Sequence, residues 1–187
     1  MRRMKTFIPL ILIALMFTGT GCKQNQSDQE IIEKGAAISG ELLKALMAEL
    51  NVEIQKNGVP AAIDYCSLHA IPITDSISRA EEVEISRVSH RYRNPSNAAN
   101  EKEIEMIEKY ISQQREGEEL LPQVVTEKGH KIYYGPILLA APLCLKCHGP
   151  YNEIDAEVKN TLNEKYPNDQ AVDFNLNEVR GMFKIRF

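Results

Sequence analysis

Apolar residues recur at helical spacing through the early part of the chain. Between Ile31 and about Gln55 they fall every three or four positions, which places them along one face of a long helix. The pair Asn57-Gly58 favours an end to this helix, and Pro60 favours the start of another. We therefore predict a long N-terminal helix and then a shorter helix, with an inner face formed by Ala62, Ile63, Cys66 and Ala70.

The rest of the chain alternates between strand-like and helical patterns. Residues 82–92 alternate in polarity and predict a strand, residues 124–126 and 131–138 predict a hairpin, and residues 179–187 predict a closing strand. Helices are predicted at 101–114, with Asn97 or Asn100 as the N-cap, and at 154–165. This mixture predicts an α+β fold.

The composition indicates one compact domain. The chain has 187 residues, of which 43% are hydrophobic, and a formal net charge of −4. This hydrophobic content is sufficient for a single core, and no long glycine or proline tract indicates a repeat or a low-complexity region. The acidic balance gives no indication of a nucleic-acid partner.

The N-terminus has the pattern of a secretory signal. Basic residues at Arg2, Arg3 and Lys5 precede an apolar run at 7–17, which is too short to cross a bilayer as a helix. A run of small residues then ends in Cys22 and resembles a bacterial lipobox, although Gly19 stands where a large aliphatic residue is usual. The alternative is an ordinary cleavage site in a soluble secreted protein.

These features divide the chain into three parts. We expect residues 1–21 to be a lipoprotein signal peptide, 22–30 to be a polar tether that is lipidated at Cys22, and 31–187 to be the folded domain. Both routes of export deliver the chain outside the cytoplasm. We therefore expect a membrane-anchored lipoprotein on the periplasmic or cell-surface side.

A CxxCH motif, which follows the predicted hairpin, is the strongest indication of a cofactor in the sequence. Cys144 and Cys147 have the spacing at which two thiols add to the vinyl groups of one haem, and His148 follows as an imidazole ligand to iron. A structural zinc site normally needs a second ligand pair, and no second CxxC or HxxxH pair occurs. A redox dithiol would normally lie where a strand enters a helix of a βαβ unit. The motif therefore predicts one covalently bound haem c.

Cys66 remains without a partner once the other cysteines are assigned to lipid and haem. An unpaired thiol in an oxidising compartment is a liability unless it is buried or bound to metal, so Cys66 is a candidate sixth iron ligand. The alternative is a small buried hydrophobic residue on an amphipathic helix. The other histidines, His69, His90 and His130, are substitute ligands that each also fit a surface or packing role.

Several further residues could contact the cofactor. Arg87, Arg91 and Arg93 could pair with haem propionates, because guanidinium groups bind carboxylates bidentately; the alternative is a solvated strand edge. Tyr133 and Tyr134 could line the haem or could belong to ordinary sheet packing. The methionines of the mature part are assigned to the core and are Met47, Met106 and Met182.

Four separated segments, taken together, resemble a known family. The chain is similar to the PAS-like, single-haem c domains that were long catalogued as a domain of unknown function. The segments, which surround the CxxCH motif in a fixed order, are the helix at residues 62–66, residues 87–97, the run 133–137 before the motif, and residues 166–181. The sequence departs from the family pattern at Ala99, where proline is usual, and lacks an aromatic-acidic pair soon afterwards.

This resemblance implies a fold and a ligand set. The fold would be a PAS-like antiparallel sheet flanked by helices. Cys66 would be the distal thiolate and His148 the proximal imidazole, with Arg87 and Arg93 favoured as propionate partners. Of the two tyrosines, we expect Tyr134 to be the cofactor contact, independently of the resemblance.

Two functions agree with these expectations. The first is a haem-based redox or ligand sensor that reports to a separate signalling partner. The second is an extracytoplasmic electron-transfer cytochrome c with a redox partner protein. An enzyme is not expected, because a six-coordinate iron leaves no open position for a substrate.

Overall fold

The computed structural model describes residues 27–187. The predicted signal peptide, Cys22 and most of the predicted tether lie outside this range. Within residues 27–187, no helix combines the length and the apolar character needed to cross a membrane.

Helix α1 spans Asp28–Ala80 and consists of two arms. Ser27 caps it in a capping box, since the Ser27 side chain accepts from the Glu30 amide and the Glu30 carboxylate accepts from the Ser27 amide. Gly58, with φ 84° and ψ 174°, is non-helical and separates a first arm, residues 28–57, from a second arm, residues 59–80. The two predicted helices are therefore present, and the first begins three residues earlier than the predicted Ile31.

Four strands form one antiparallel sheet in the order β1-β4-β3-β2. Strands β2 and β3 form the predicted hairpin, and Lys128 and Gly129 at its turn have the positive φ angles, 49° and 81°, of a type I′ turn. Strand β1 is shorter than predicted, because the backbone of Ser89 pairs instead with Asn97 and Ala99. The strands are β1 Glu84–Val88, β2 Gln123–Glu127, β3 His130–Leu138 and β4 Val179–Arg186.

Three further helices complete the domain. Helix α2 spans Glu101–Glu116, with Asn100 as the N-cap and Gly117 in the left-handed conformation at its end. The seven-residue helix α3 spans Pro142–His148 and contains the CxxCH motif. Helix α4 spans Ala156–Lys165. The predicted helices at 101–114 and 154–165 are thus confirmed to within two residues at each end, and the predicted α+β fold with a long N-terminal helix and a helix-flanked antiparallel sheet is confirmed.

The two faces of the sheet carry different layers. Helix α2 covers one face, where Tyr110 is fully buried and donates from its hydroxyl to the carbonyl oxygen of Tyr134 at 3.0 Å. The first arm of α1 covers the other face, where Ile38 and Leu42 pack with Phe183. Val158 and Leu162 of helix α4, together with the preceding Ile154, pack against Ile63 of the second arm of α1. This arrangement leaves a space between the two arms of α1, the sheet and α3.

Candidate functional site

A cavity of about 330 Å³ occupies this space. Cys66 reaches it from the second arm of α1, Arg87 from β1, and Cys144, Cys147 and His148 from α3. Most of the remaining wall is aliphatic and includes leucine, isoleucine and valine side chains from α1 and β3. The volume and the apolar wall with a few polar groups are typical of a small-molecule or cofactor site.

The local sequence places the CxxCH residues on one short helix. Pro142 is the first residue of α3, where the missing amide hydrogen of proline costs no helical hydrogen bond. Cys144 and Cys147 are three residues apart, so both thiols lie on the same side of α3. Gly149 ends the helix and donates to the Leu145 carbonyl oxygen at 2.9 Å. A Cβ atom at Gly149 would lie 2.6 Å from that same oxygen, so this close approach requires glycine.

His148 is oriented by a backbone hydrogen bond. Its Nδ1 lies 2.6 Å from the carbonyl oxygen of Ala171, and because a carbonyl can only accept, Nδ1 carries the proton. The Phe174 ring packs edge-on against the imidazole, with 6.4 Å between the ring centroids. Burial, together with Arg93 and Arg180 nearby, holds the pKa of His148 well below its ordinary value. The imidazole is therefore neutral, with Nε2 as an unprotonated electron-pair donor.

Cys66 lies on the second arm of α1 and is partly buried. Burial raises the pKa of its thiol, while the positive charge of Arg87 acts in the opposite direction. The neighbouring Tyr65 donates to the Glu49 carboxylate at 3.0 Å and so links the second arm to the first. In the ligand-free chain Cys66 is thus a neutral thiol, and a bound metal ion would favour its ionised form.

Arg87 brings a positive charge to the cavity wall. Burial lowers the pKa of its guanidinium group, and the nearby Cys66 and Tyr166 counteract this effect. Within residues 27–187 its side chain makes no hydrogen bond and no ion pair. Its donors are therefore available to an anionic group in the cavity.

Arg93 also lines the cavity, but its guanidinium group has protein partners. Its Nε donates to the Asp169 carboxylate at 2.9 Å, and the exposed fractions of the two side chains are 15% and 8%. Its Nη2 donates to the carbonyl oxygens of Cys147 and Ala171. These contacts tie α3 to the segment that orients His148. The structure thus gives Arg93 a positioning role, and its contact with a propionate stays a prediction.

The structure places Tyr134, a predicted cofactor contact, away from the cavity. Its ring lies on the α2 face of the sheet with Ile107, Tyr110 and Met182, opposite the cavity, and is 5% exposed. Tyr133 faces α1, where its hydroxyl lies 3.4 Å from Ser39 Oγ, and it does not line the cavity either. Both tyrosines belong to ordinary sheet packing, which was the alternative interpretation. Alternation along β3 places neighbours on opposite faces, and it does not say which face carries the cavity.

The three histidines that were substitute candidates for the sixth ligand lie outside the cavity. His69 is exposed and stacks on Tyr65, His90 contacts Phe174 edge-on, and the Nδ1 of His130 lies 3.1 Å from the carbonyl oxygen of Phe187. None of the three lines the cavity, whereas Met47 does. Among residues 27–187, no three His, Cys, Asp or Glu side chains are grouped closely enough to hold a bare metal ion.

Two charged residues that line the cavity, Lys146 and Arg180, were not predicted as site residues. Arg180, on β4, lines the cavity, and burial together with Arg93, Arg91 and Arg87 lowers its pKa to about 9. The residue lies in one of the segments that carry the family resemblance, but nothing in its strand pattern indicates an inward side chain. Arg91, which was a candidate, instead contacts the Phe174 ring and the Val172 carbonyl oxygen.

Comparison with known proteins identifies a family and a solved structure that are similar to this chain. A family model described as Tll0287-like matches residues 23–187. The crystal structure of the cyanobacterial heme-protein Tll0287 superposes with a TM-score of 0.63 at 21% sequence identity, covering 87% of this chain and 96% of that chain. No match was found among proteins with curated descriptions. The structural likeness shows a shared fold, and because the family match covers nearly the whole chain, the chain belongs to the Tll0287-like family.

Proposed function

We propose that the chain is an exported protein that binds one haem through thioether bonds to Cys144 and Cys147. The CxxCH spacing supports covalent attachment, because both thiols lie on one side of α3 and line the same cavity. The similar solved structure is that of the heme-protein Tll0287, which supports the same class of cofactor here. The lipobox-like segment that ends at Cys22 supports attachment to the outer side of a membrane through lipid.

The proposed axial ligands are His148 and Cys66. The single observation that carries the proposal is that Cys66, from the second arm of α1, lines the same cavity as His148 from α3. The proton on Nδ1 of His148 leaves Nε2 as the ligand atom, which is the usual arrangement for an iron-bound imidazole with a backbone hydrogen bond. Sulfur and imidazole are both established iron ligands in haem proteins.

The other cavity residues fit this cofactor. Aliphatic side chains from both arms of α1 surround the space that a porphyrin ring would occupy. Arg87 has no protein partner among the described residues and faces the cavity, so it can pair with a propionate. The chain thus offers thiols, axial ligands, apolar walls and a cation, which together are the groups that a haem requires.

The chemistry supplied by a bound haem is the reversible exchange of one electron. The residues of the chain determine how that exchange is tuned. A thiolate at Cys66 donates charge and stabilises the oxidised state, so the pair of His148 and Cys66 lowers the reduction potential relative to histidine and methionine ligation. With both axial positions filled by protein, no substrate has access to the metal, so we propose a role other than catalysis.

We propose that the protein acts as a redox or ligand sensor. Burial favours the neutral thiol of Cys66, so protonation of this sulfur would promote its release when the positive charge on the metal decreases. The second arm of α1 follows the non-helical Gly58, and a salt bridge from Asp64 to Lys165 of α4, at 2.6 Å, connects it to the rest of the domain. Loss of the Cys66 ligand would therefore alter the arm that bears it, and a separate partner protein could detect this change.

Electron transfer is the second candidate function, and the rim of the cavity favours it. Leu43, Ile71 and Leu138 line the cavity and are also exposed large hydrophobic residues. An apolar rim close to a redox centre suits a brief encounter with another redox protein. In this role the two axial ligands would remain bound throughout.

Stopped-flow reduction distinguishes the two roles. The holo-protein is matured in a host with cytochrome c assembly machinery and mixed with a quinol or a small reduced cytochrome, while absorption reports oxidation state and coordination. For a sensor we expect slow reduction coupled to loss of the sulfur ligand. Fast reduction with unchanged coordination would refute the sensor and support electron transfer. As a control, Cys66→Ser removes the ligand and should abolish any coordination change.

A further inference from the structure

A β-bulge turns the Arg180 side chain toward the cavity. The pairing of β3 with β4 passes from Ile137–Gly181 to Leu138–Val179, so Arg180 has no partner on β3. The interruption of alternation places Val179 on the α2 face with Met182, while Arg180 and Gly181 line the cavity. A Cβ atom at residue 181 would collide with the carbonyl oxygen of Val88, so the strands approach this closely only with glycine.

One end of the Arg180 guanidinium group is fixed by the protein. Its Nη1 donates to Ser89 Oγ at 2.6 Å and to the carbonyl oxygen of Arg91 at 2.8 Å. Ser89 Oγ in turn donates to the Arg180 carbonyl oxygen at 2.8 Å, and the Phe174 ring lies 5.4 Å below the guanidinium carbon. These contacts hold the planar group in one orientation.

The opposite edge of the same group is unpaired. Nε is buried and has no hydrogen-bond partner, and Nη2 makes no hydrogen bond to any residue in the range 27–187. Nε and Nη2 form the pair of parallel donors that binds the two oxygens of a carboxylate. A buried donor without a partner is unfavourable, so the arrangement favours a ligand that supplies an acceptor.

The charges around the cavity select an anionic ligand. Arg87, Arg180 and Lys146 line it, and none of its lining residues is an aspartate or a glutamate. Asp169 neutralises Arg93, and Glu178 lies 3.9 Å from Arg91. Arg87, Arg180 and Lys146 thus have no carboxylate partner in the described part of the protein, and Lys146 is the exposed member of the three. Arg87 and Arg180 are partly buried, so these two cations match a cofactor with two carboxylates.

We propose that Arg180, through Nε and Nη2, binds one propionate of the haem. The inference rests on the proposed haem-binding function and assigns to Arg180 the contact that the sequence suggested for Arg93. Arg87 is then the partner of the second propionate, and Arg93 positions the segment that orients His148.

The test uses holo-protein made with haem that is isotope-labelled at the propionate carboxyl carbons. The infrared difference spectrum between the oxidised and reduced protein reports the labelled carboxylate bands directly, and a redox titration from pH 5 to 8 follows the midpoint potential. The variant is Arg180→Gln. Its matched control is Arg186→Gln, which removes the same charge from the same strand at a residue that pairs with Glu84 outside the cavity.

We expect Arg180→Gln to shift one labelled carboxylate band and to lower the midpoint potential, because a cation near the metal is lost. The proton affinity of the released propionate should rise about tenfold or more, which makes the potential more dependent on pH. Arg180→Lys, which keeps the charge but loses the paired donors, should shift the same band with a smaller change in potential. Arg186→Gln should change neither quantity.

Unchanged labelled bands in either Arg180 variant would overturn the assignment, and so would an equal shift in Arg186→Gln. If Arg180→Gln does not accumulate haem, the bands of Arg180→Lys decide the question. Failure of the proposed function has a different signature, because the wild-type protein would then carry no covalently bound haem.

Discussion

The Nδ1 of His148 donates to the carbonyl oxygen of Ala171 at 2.6 Å, and Arg93 donates to the same oxygen at 3.2 Å. The segment that contains Ala171 is itself held by Asp169, which accepts from the Ala171 amide at 2.8 Å and from Arg93 at 2.9 Å. The orientation of the proposed proximal ligand therefore depends on an ion pair that neither contributes a ligand nor belongs to the CxxCH motif.

Asp169→Asn should destabilise the protein. The substitution leaves the largely buried guanidinium group of Arg93 without its carboxylate. Removal of one partner of a fully buried pair costs about 3–5 kcal/mol, and the residual exposure of Arg93 reduces the expected loss in free energy of unfolding to about 2 kcal/mol. Denaturant unfolding of the holo-protein measures it.

The control for this experiment is Lys102→Gln. Lys102 pairs with Glu127 on the surface, where its side chain is 78% exposed, so the substitution should leave the free energy of unfolding nearly unchanged. Equal losses in the two variants would contradict the role of the Arg93–Asp169 pair.

Gly35→Ala should destabilise the contact between α1 and the sheet. A Cβ atom at residue 35 would collide with the ring of Tyr133, which is 2% exposed and has no room to move. We expect a loss of about 1–3 kcal/mol in the free energy of unfolding, which is typical of overpacking.

Gly40→Ala, on the same helix, is the matched control. A Cβ atom there meets nothing within 4 Å, so the higher helix propensity of alanine should stabilise the protein by about 0.5–1 kcal/mol. The two glycines should thus respond with opposite signs in thermal or chemical unfolding. Stabilisation by both substitutions would contradict the close contact between Gly35 of α1 and the ring of Tyr133.

Several features of this account could be predicted from the sequence, because they depend on local pattern. Helical spacing predicted both arms of α1, and CxxCH marked Cys144, Cys147 and His148 as candidate haem contacts, but the helix α3 that carries them was not predicted. The role of Arg180 could not be predicted, since its inward direction arises from a bulge that depends on the register between β3 and β4. Likewise, the partner of Arg93 is Asp169, far away in the chain, and the period of β3 alone could not assign Tyr134 to the α2 face.

The stability of the protein should decrease in mild acid, partly through His90. Burial lowers the pKa of His90, and so do Arg91 and Arg180; Glu178 and Glu108 oppose this effect. The unfolded chain, with a histidine pKa of about 6.5, therefore binds the proton more readily than the folded protein. The free energy of unfolding should fall as the pH drops below about 6.5, until the lower folded-state pKa is passed.

His90→Gln isolates this contribution, because glutamine cannot take up the proton. Urea unfolding at several pH values between 5 and 8 should show a smaller decrease toward acid in the variant than in the wild-type protein. The same decrease in both proteins would show that the imidazole of His90 does not contribute.

The most direct test of the central claim is the electron paramagnetic resonance spectrum of the oxidised holo-protein, compared between wild type, Cys66→Ser and the neighbouring control Ser67→Ala. We expect the wild type and Ser67→Ala to show the low-spin signal of a thiolate and imidazole pair, and Cys66→Ser to show a high-spin or histidine and water signal. An unchanged spectrum in Cys66→Ser would contradict the assignment of Cys66 and His148 as the two axial ligands.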